Sequence, residues 1–334
     1  MPSRRRRTSP GKPARASSCA LVLATAALPA AHAEPFLVRN AHPLVANFGL
    51  PGPMPARLPA PGSMAAAGTF NWTSFAVTER TDDREFTLDG EVQELRLQAT
   101  HPLGARFALH GELAWRRLDA GSLDGFIDDW HSALGLPDGS RGQLPADSLL
   151  LEYRVVDGPS WRVDSATSGI ADIPVALGYQ LVATETRALA AWLSVDAPTG
   201  RADDLTGNGA VDVALSLAGQ ARLHERWAVF GQLNATWLGQ GDVLPALQKE
   251  HAWSALGGVT WHAWRSLDVT AQVEANSAVF DTGFDDLDGD AIVLTFGGSY
   301  VTQGGWRCDL GFVEDVQPDA SPDITFNFGL RRAW

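Results

Sequence analysis

The chain of 334 residues carries 39 acidic against 26 basic side chains, a formal net charge of −13, which is unsuited to nucleic acid as a partner. Its two cysteines, Cys19 and Cys308, are too few for a disulfide framework or a cysteine-built metal site. No segment after the first 33 residues is apolar enough for a spanning helix, yet 12 Trp stand against 3 Tyr, an inventory that suits the aromatic girdles of a membrane barrel and the core of a β-sandwich alike.

Arg4 to Arg7, Lys12 and Arg15 precede an apolar run over residues 19–29, followed by Ala31-His32-Ala33. This is the layout of a signal peptide over residues 1–33; a membrane anchor needs about 20 apolar residues and finds too few. A barrel crosses the inner membrane unfolded, so the arginine run is read as general export rather than a twin-arginine signal. Cleavage removes Cys19 together with six basic and no acidic residues. The remaining chain has 20 basic against 39 acidic side chains, −19, and Cys308 as its one thiol, which excludes an internal disulfide. Residues 34–67 are proline-rich, from Pro35 through Pro43, Pro51, Pro53, Pro55 and Pro59 to Pro61. Proline removes ladder donors, so this stretch is no sheet interior. It is either a periplasmic tail or an ordered extended segment folded into a barrel mouth.

From residue 68 polarity alternates with period two, in segments of the length a tilted strand needs to cross a bilayer. The first runs over residues 70–78 and the second over 85–100, where the apolar phase changes between Val92 and Leu95 and predicts a bulge. Residues 106–117 place Phe107, Leu109, Leu113 and Trp115 outward, and Arg106, His110, Glu112 and Arg116 inward. Further outward faces begin at Ile173, Leu189, Val211, Trp227, Trp253 and Leu267. Asp172, Asp212, Asp268, Glu274, Arg307, Asp309 and Arg331 fall on the opposite, lumen side. Residues 292–300 and 306–312 and a terminal strand complete twelve segments. Short connections (101–105, 184–187, 223–226, 262–266, 301–305) alternate with usually longer ones (118–169, 198–208, 240–251, 279–290), the outer-membrane pattern with both termini in the periplasm, from which the short 79–84 connection departs. Residues 68–334 are therefore expected to be all-β: one closed antiparallel transmembrane barrel of about 12 strands, or 14 if residues 149–165 enter the membrane.

Within the longest loop, Phe126, Ile127, Trp130 and Leu134 recur at helical spacing, with Gly135 and Pro137 as stop signals. A hairpin around Asp157-Gly158 follows it. Asp128 and His131 share a face of that helix, half of a hydrolytic triad, although a polar loop cap is the blander reading and no hydrolase motif accompanies them. Asp281, Asp285, Asp286, Asp288 and Asp290 lack the twelfth-position glutamate of a calcium loop. The terminal strand alternates Ile324, Phe326, Phe328 and Leu330 with Thr325, Asn327 and Gly329 and stops on Trp334, which resembles the assembly signal of Gram-negative outer-membrane barrels.

The Pro35-Phe36, Arg39-Asn40, Pro43-Leu44 and Phe48-Gly49-Leu50-Pro51 start, together with Phe126-Ile127, Trp130-His131, Leu134-Gly135-Leu136-Pro137 and Arg141, resembles domain-of-unknown-function family 3187. Trp130 stands where that family is expected to have phenylalanine, and Gly169-Ile170-Ala171-Asp172 also looks familial. The resemblance implies fold and outer-membrane location and brings no activity. The expected partners are outer-membrane lipid, lipopolysaccharide and the barrel-assembly machinery, with no nucleic acid and no cofactor, for a protein acting as a monomer. The leading functional reading is a narrow channel or a structural surface protein. An outer-membrane lipid hydrolase and a periplasmic β-sandwich binding protein remain as alternatives.

Overall fold

The computed structural model describes residues 34–134, 141–317 and 321–334, without the side chains at 131, 133, 134 and 317. The signal peptide and Cys19, the helix stop at Gly135 and Pro137, and the face presented by His131 lie outside the described residues. In chain order the strands are β1 (Ala65–Arg80), β2 (Arg84–Pro102), β3 (Phe107–Asp119), β4 (Leu150–Val155), β5 (Ser160–Val163), β6 (Thr167–Ile170), β7 (Ile173–Ala183), β8 (Arg187–Ala197), β9 (Asp212–His224), β10 (Trp227–Trp237), β11 (His251–Trp264), β12 (Leu267–Asn276), β13 (Ala291–Val301), β14 (Arg307–Gln317) and β15 (Ile324–Ala333). Among the described residues two α-helices, α1 (Asp124–Leu134) and the one-turn α2 (Asp285–Asp288), and a 3-10 turn at Arg141–Gln143 lie in the long loops.

Period-two strands with unlike faces find their partners by closing on themselves. β1, β2, β3 and then β7 through β15 pair antiparallel in succession, and β15 returns to β1 from Ala333↔Ala65 to Ile324↔Ser74. This is a closed antiparallel barrel of twelve strands with three more outside the ring, so the stacked sheets of a sandwich are ruled out. The strand start lies earlier than the proline content suggested: Ala65–Ala67 already pair with β15. Trp334 N donates to the Met64 carbonyl (2.9 Å) and Met64 N to that of Trp334 (3.1 Å), joining the two ends of the ring.

The outer surface shows Leu109, Leu113 and Trp115 of β3, Leu215 and Leu217 of β9, and Leu310 of β14 exposed, while His110, Arg116, Ser216 and Asp309 between them are buried. An apolar belt outside and polar groups inside invert the arrangement of a water-soluble protein and fit a wall whose outer solvent is lipid. At the short-turn end Trp227 stacks on Trp261 (6.1 Å) and Trp306 meets Trp334 edge-on (5.9 Å). Trp237 and Trp253 are exposed at the other end of β10 and β11.

Above the belt the sheet divides. β2 pairs with β3 from Glu91 to Pro102 but with β4 from Arg84 to Asp89. The change of apolar phase in β2 marks this division rather than the expected bulge, since β1 and β2 stay in register from Thr100 to Glu85. Leu95 and Leu97 face lipid, whereas Val92, Leu88 and Phe86 lie on the inner face and join a second apolar core over the mouth. Leu151 and Tyr153 of β4 and Phe280, Phe284 and Leu287 of the 277–290 loop complete it. The 150–163 hairpin therefore extends the sheet outward and adds no strand to the barrel. In the 120–148 loop, the Arg141 guanidinium bonds Asp124, Asp323 and the Ser74 hydroxyl. Its burial lowers its pKa, but the Asp323 and Asp124 carboxylates outweigh this and hold it above the ordinary value.

Gly90 sits at the division with φ of +146°, and a Cβ there would stand 2.8 Å from Leu149 and 3.0 Å from the Asp119 carbonyl. Gly90→Ala is expected to destabilise this junction by about 1–3 kcal/mol. Protease cleavage between residues 144 and 166 should become faster while heat-modifiable gel migration of the barrel is retained.

Candidate functional site

The lumen is occupied by the chain's own proline-rich segment, residues 34–61, which passes through it twice. The first limb starts at the short-turn end, where Glu34 lies 3.4 Å from Arg331 and 3.9 Å from Arg307. Phe36 packs where Gly297 and Gly311 leave room; a Cβ on Gly297 would come within 2.9 Å of its ring. Phe36 N donates to Gln272 Oε1 (3.0 Å), Asn40 N to Glu274 Oε1 (3.1 Å) and Asn40 Nδ2 to Asn276 Oδ1 (2.9 Å), so the limb climbs β12. A reversal over residues 42–48 is closed by Ala46 N on the His42 carbonyl (2.9 Å) and Asn47 Nδ2 on that of Pro43 (2.8 Å). Arg39 ties the limbs together through the Leu50 (2.8 Å) and Ala46 (3.1 Å) carbonyls. The tip enters the apolar core over the mouth: Leu44, Val45 and Phe48 are buried, and Phe48 meets Phe280 edge-on at 5.4 Å.

The second limb descends along β9, β10 and β7. Gly49 N donates to Asp212 Oδ2 (2.7 Å). Gln232 accepts from Met54 N (2.7 Å) and donates to the Gly52 carbonyl (2.9 Å). Gln180 does the same for Leu58 N (2.7 Å) and the Ala56 carbonyl (2.9 Å). Trp192 Nε1 donates to the Pro55 carbonyl (3.0 Å), and Arg57 closes the path on the Thr184 carbonyl in the β7–β8 turn. Side-chain amides of the wall thus act as ladder partners for a strand that proline keeps from joining a sheet.

The arginines of the lumen wall pair with carboxylates in two groups. Near the tip, Glu94 accepts from Arg96 (2.8 Å) and Arg116 (2.9 Å), and Arg96 also bonds Glu112. Arg116 continues to Asn47 and the Ala46 carbonyl of the reversal, so an ionic pair of the wall holds the tip. At the short-turn end Arg307 bonds Asp268, Asp309 and Ser299, Arg331 pairs with Asp309 (2.9 Å), and His262 Nδ1 lies 2.7 Å from Asp268. Between tip and wall a cavity of about 30 Å³, lined by Arg39, Asn47, His110, Arg116, Asp172 and Asp196, has room for about two waters.

Of the residues singled out in the sequence, His110, Glu112, Arg116, Asp212, Asp268, Glu274, Arg307, Asp309 and Arg331 face the lumen. Arg106 does not: it is an exposed turn residue preceding β3, and its guanidinium reaches the Tyr179 hydroxyl on the outer surface (3.2 Å). The alternation was extended one residue past the strand, where the turn has already rotated the side chain out. Asp128 is exposed on α1. Among the described residues, the histidines paired with carboxylates, His110 and His262, both point into the lumen, away from any lipid substrate. Thr100 and Glu112 engage both nitrogens of His110 (2.9 and 3.1 Å). Phe326, Phe328, Leu330 and Trp334 lie on the outer face of β15, with Trp334 and Trp306 both beside the Arg332 guanidinium. The period of β12 sets Gln272 inward without a role for it, and Gln180, Trp192 and Gln232 are not singled out by any motif. Their inward position was implied by the outward phase of β7, β8, β10 and β12, but nothing in one strand shows that a backbone will lie against it.

Met54 is 5 % exposed and Met64 40 %, so peroxide is expected to oxidise Met64 readily and Met54 slowly. Gln232→Leu removes the acceptor for Met54 N and the donor to Gly52 at about 1–3 kcal/mol for each buried group left unpaired. Mass spectrometry should show Met54 oxidation rising roughly tenfold with Met64 unchanged.

No functionally curated protein matches the sequence. Among solved structures the chain is similar to an outer membrane channel, COG4313, of Pseudomonas putida F1, with 16 % identity, a TM-score of 0.56, and coverage of 83 % of this chain and 97 % of that one. It also aligns with the NanC porin (9 % identity, TM-score 0.45, 80 % and 98 % covered) and the toluene transporter TodX of Pseudomonas putida (10 %, 0.40, 92 % and 95 %). The first of these likenesses shows a shared outer-membrane β-barrel fold. A family model described as "protein of unknown function (DUF3187)" matches residues 14–334, and the chain belongs to that family.

Proposed function

We propose that this protein is a narrow outer-membrane channel of a Gram-negative bacterium, exported by a signal peptide in residues 1–33, whose conductance is set by its own N-terminal segment. The observation that carries this reading is the double passage of residues 34–61 through a lumen that would otherwise be wide enough for water. The segment is held by side-chain bonds rather than by a sheet ladder, and its prolines lower the entropy cost of ordering it. Such an insert narrows the pore and can be displaced as a unit without breaking the wall. The short-turn end is assigned to the periplasm and the long-loop end to the cell exterior.

Selectivity follows from where the charges stand. Within the lumen the arginines of the wall are neutralised in the two groups described above, whereas Asp212 and Glu274 bond backbone amides and the 198–211 and 277–290 loops carry acidic side chains at the outer mouth. A cation preference that salt screens is the consequence. In planar bilayers the intact protein is expected to show small, weakly cation-selective conductance that loses its selectivity at high salt. Deletion of residues 35–60, in protein that still shows heat-modifiable migration, should raise the conductance several-fold. A deletion variant no more conductive than the intact protein, or a large anion-selective conductance before deletion, would contradict the proposal.

A further inference from the structure

Helix α1 lies against the outside of the wall rather than over the mouth. Ile127 is fully buried with Leu123 and Ile324, and Trp72, Phe312 and Phe326 pack against them. The register sets Trp72 beside Phe326, Ser74 beside Ile324, and Phe312 beside Phe326. All therefore share the face of Leu310, Phe328 and Leu330, the exposed outer face of β14, β15 and β1 where the ring closes. On that face Phe126 meets Phe326 edge-on (5.7 Å) and stacks on Trp130 (6.3 Å), and Trp130 rests on Phe312 (5.7 Å). Polar bonds hold the helix start from above. Glu91 accepts from Ser122 N (2.6 Å), from Leu123 N and from Trp72 Nε1 (2.6 Å), and Arg141 links Asp124 to Asp323 and Ser74.

The height of the helix follows from strand geometry. Phe326 stands eight residues before Trp334, the aromatic of the short-turn girdle. That is about 27 Å along the strand and roughly 20 Å along the membrane normal at the usual barrel tilt. On β10 the two girdle residues Trp227 and Trp237 stand ten residues apart, about 25 Å by the same conversion, which matches the usual height of the apolar band. The aromatic face of α1 thus lies at the outer edge of the band, yet Phe126 keeps 47 % of its surface exposed. Asp124, Asp128 and Asp129 provide the helix with a polar side. Continuity with the lipid-facing belt below identifies what covers the open side of Phe126.

We propose that α1 is an interfacial helix whose Phe126 and Trp130 are immersed in the outer-leaflet lipid, at the level where acyl chains meet headgroups, so that a loop supplies part of the aromatic girdle over the closing strands. This rests on the reading that the barrel stands in a bilayer, and one experiment separates the two. In a Cys308→Ser background, Phe126→Cys, Asp129→Cys and Leu330→Cys are labelled with a nitroxide in phospholipid vesicles, and collision with oxygen is compared with collision with a water-soluble nickel chelate. A several-fold higher oxygen-to-nickel ratio at 126 than at 129, approaching that at 330, supports the proposal. Equal ratios at 126 and 129 with a lipid-like 330 overturn it alone, whereas a water-like ratio at 330 overturns both readings. Trp130→Phe offers a second test that leaves the apolar face filled: fluorescence lost on this substitution should be quenched by lipids brominated near the headgroup, and an unquenched difference spectrum contradicts immersion.

Discussion

A backbone threaded through a barrel meets a constraint that a loop in water does not: each amide must find a partner inside the lumen or remain unpaired where water is scarce. This protein meets it from both sides. Prolines at 35, 43, 51, 53, 55, 59 and 61 delete donors from the segment. Gln180, Gln232, Gln272, Glu274 and Asp212 supply acceptors for the amides that remain, and the two amides at 180 and 232 also donate to carbonyls. A glutamine suits this task because its planar amide carries both a donor and an acceptor, as a peptide group does. The polar faces of β7, β10 and β12 are therefore shaped by the segment they hold as much as by the need for a wet interior.

The two ends of the segment are fixed by different physics. At the outer mouth the tip enters a core of Phe75, Phe86, Leu88, Phe280 and Phe284, so withdrawing it exposes Leu44, Val45 and Phe48 at roughly 1.5–3 kcal/mol for each side chain. Charge holds the base, where Glu34 lies near Arg307 and Arg331 while partly exposed, in a pairing worth little once salt screens it. Between these ends Phe36 and Val38 of the first limb and Met54 and Leu58 of the second are also buried, so apolar burial resists displacement along the whole segment. Arg116 adds a charged tie at the tip, since one guanidinium bonds both Glu94 of the wall and the Ala46 carbonyl of the reversal.

Much of the wall was legible in the sequence, because a lipid-facing strand cannot hide its period: the alternating segments that became β1 to β3 and β7 through β15 number twelve, and the alternation of short and long connections agrees with them everywhere but at 79–84. The errors came where a strand changes solvent. In β2 the apolar phase shifts at Val92 because the strand leaves lipid and turns its inner face to a protein core, and a one-dimensional pattern cannot distinguish that from a bulge. Arg106 was misplaced by one residue of strand. Residues 34–61 showed that they could not be sheet, but their partners lie more than a hundred residues away in sequence, and the outer placement of α1 depends on Phe312 and Phe326 from the far end of the chain. Contacts of that range leave no local periodicity to read.

Residues 34–61 form an integral, hydrogen-bonded part of the folded barrel. Hydrogen–deuterium exchange on the intact protein in a bilayer tests this directly, since the amides of Phe36, Asn40, Gly49, Met54 and Leu58 are bonded to wall side chains. Peptides covering 36–58 should exchange slowly, on the timescale of β9 and β10, with the 198–211 loop exchanging faster. Complete exchange of 36–58 within seconds, at the rate of an unstructured tail, would contradict this placement.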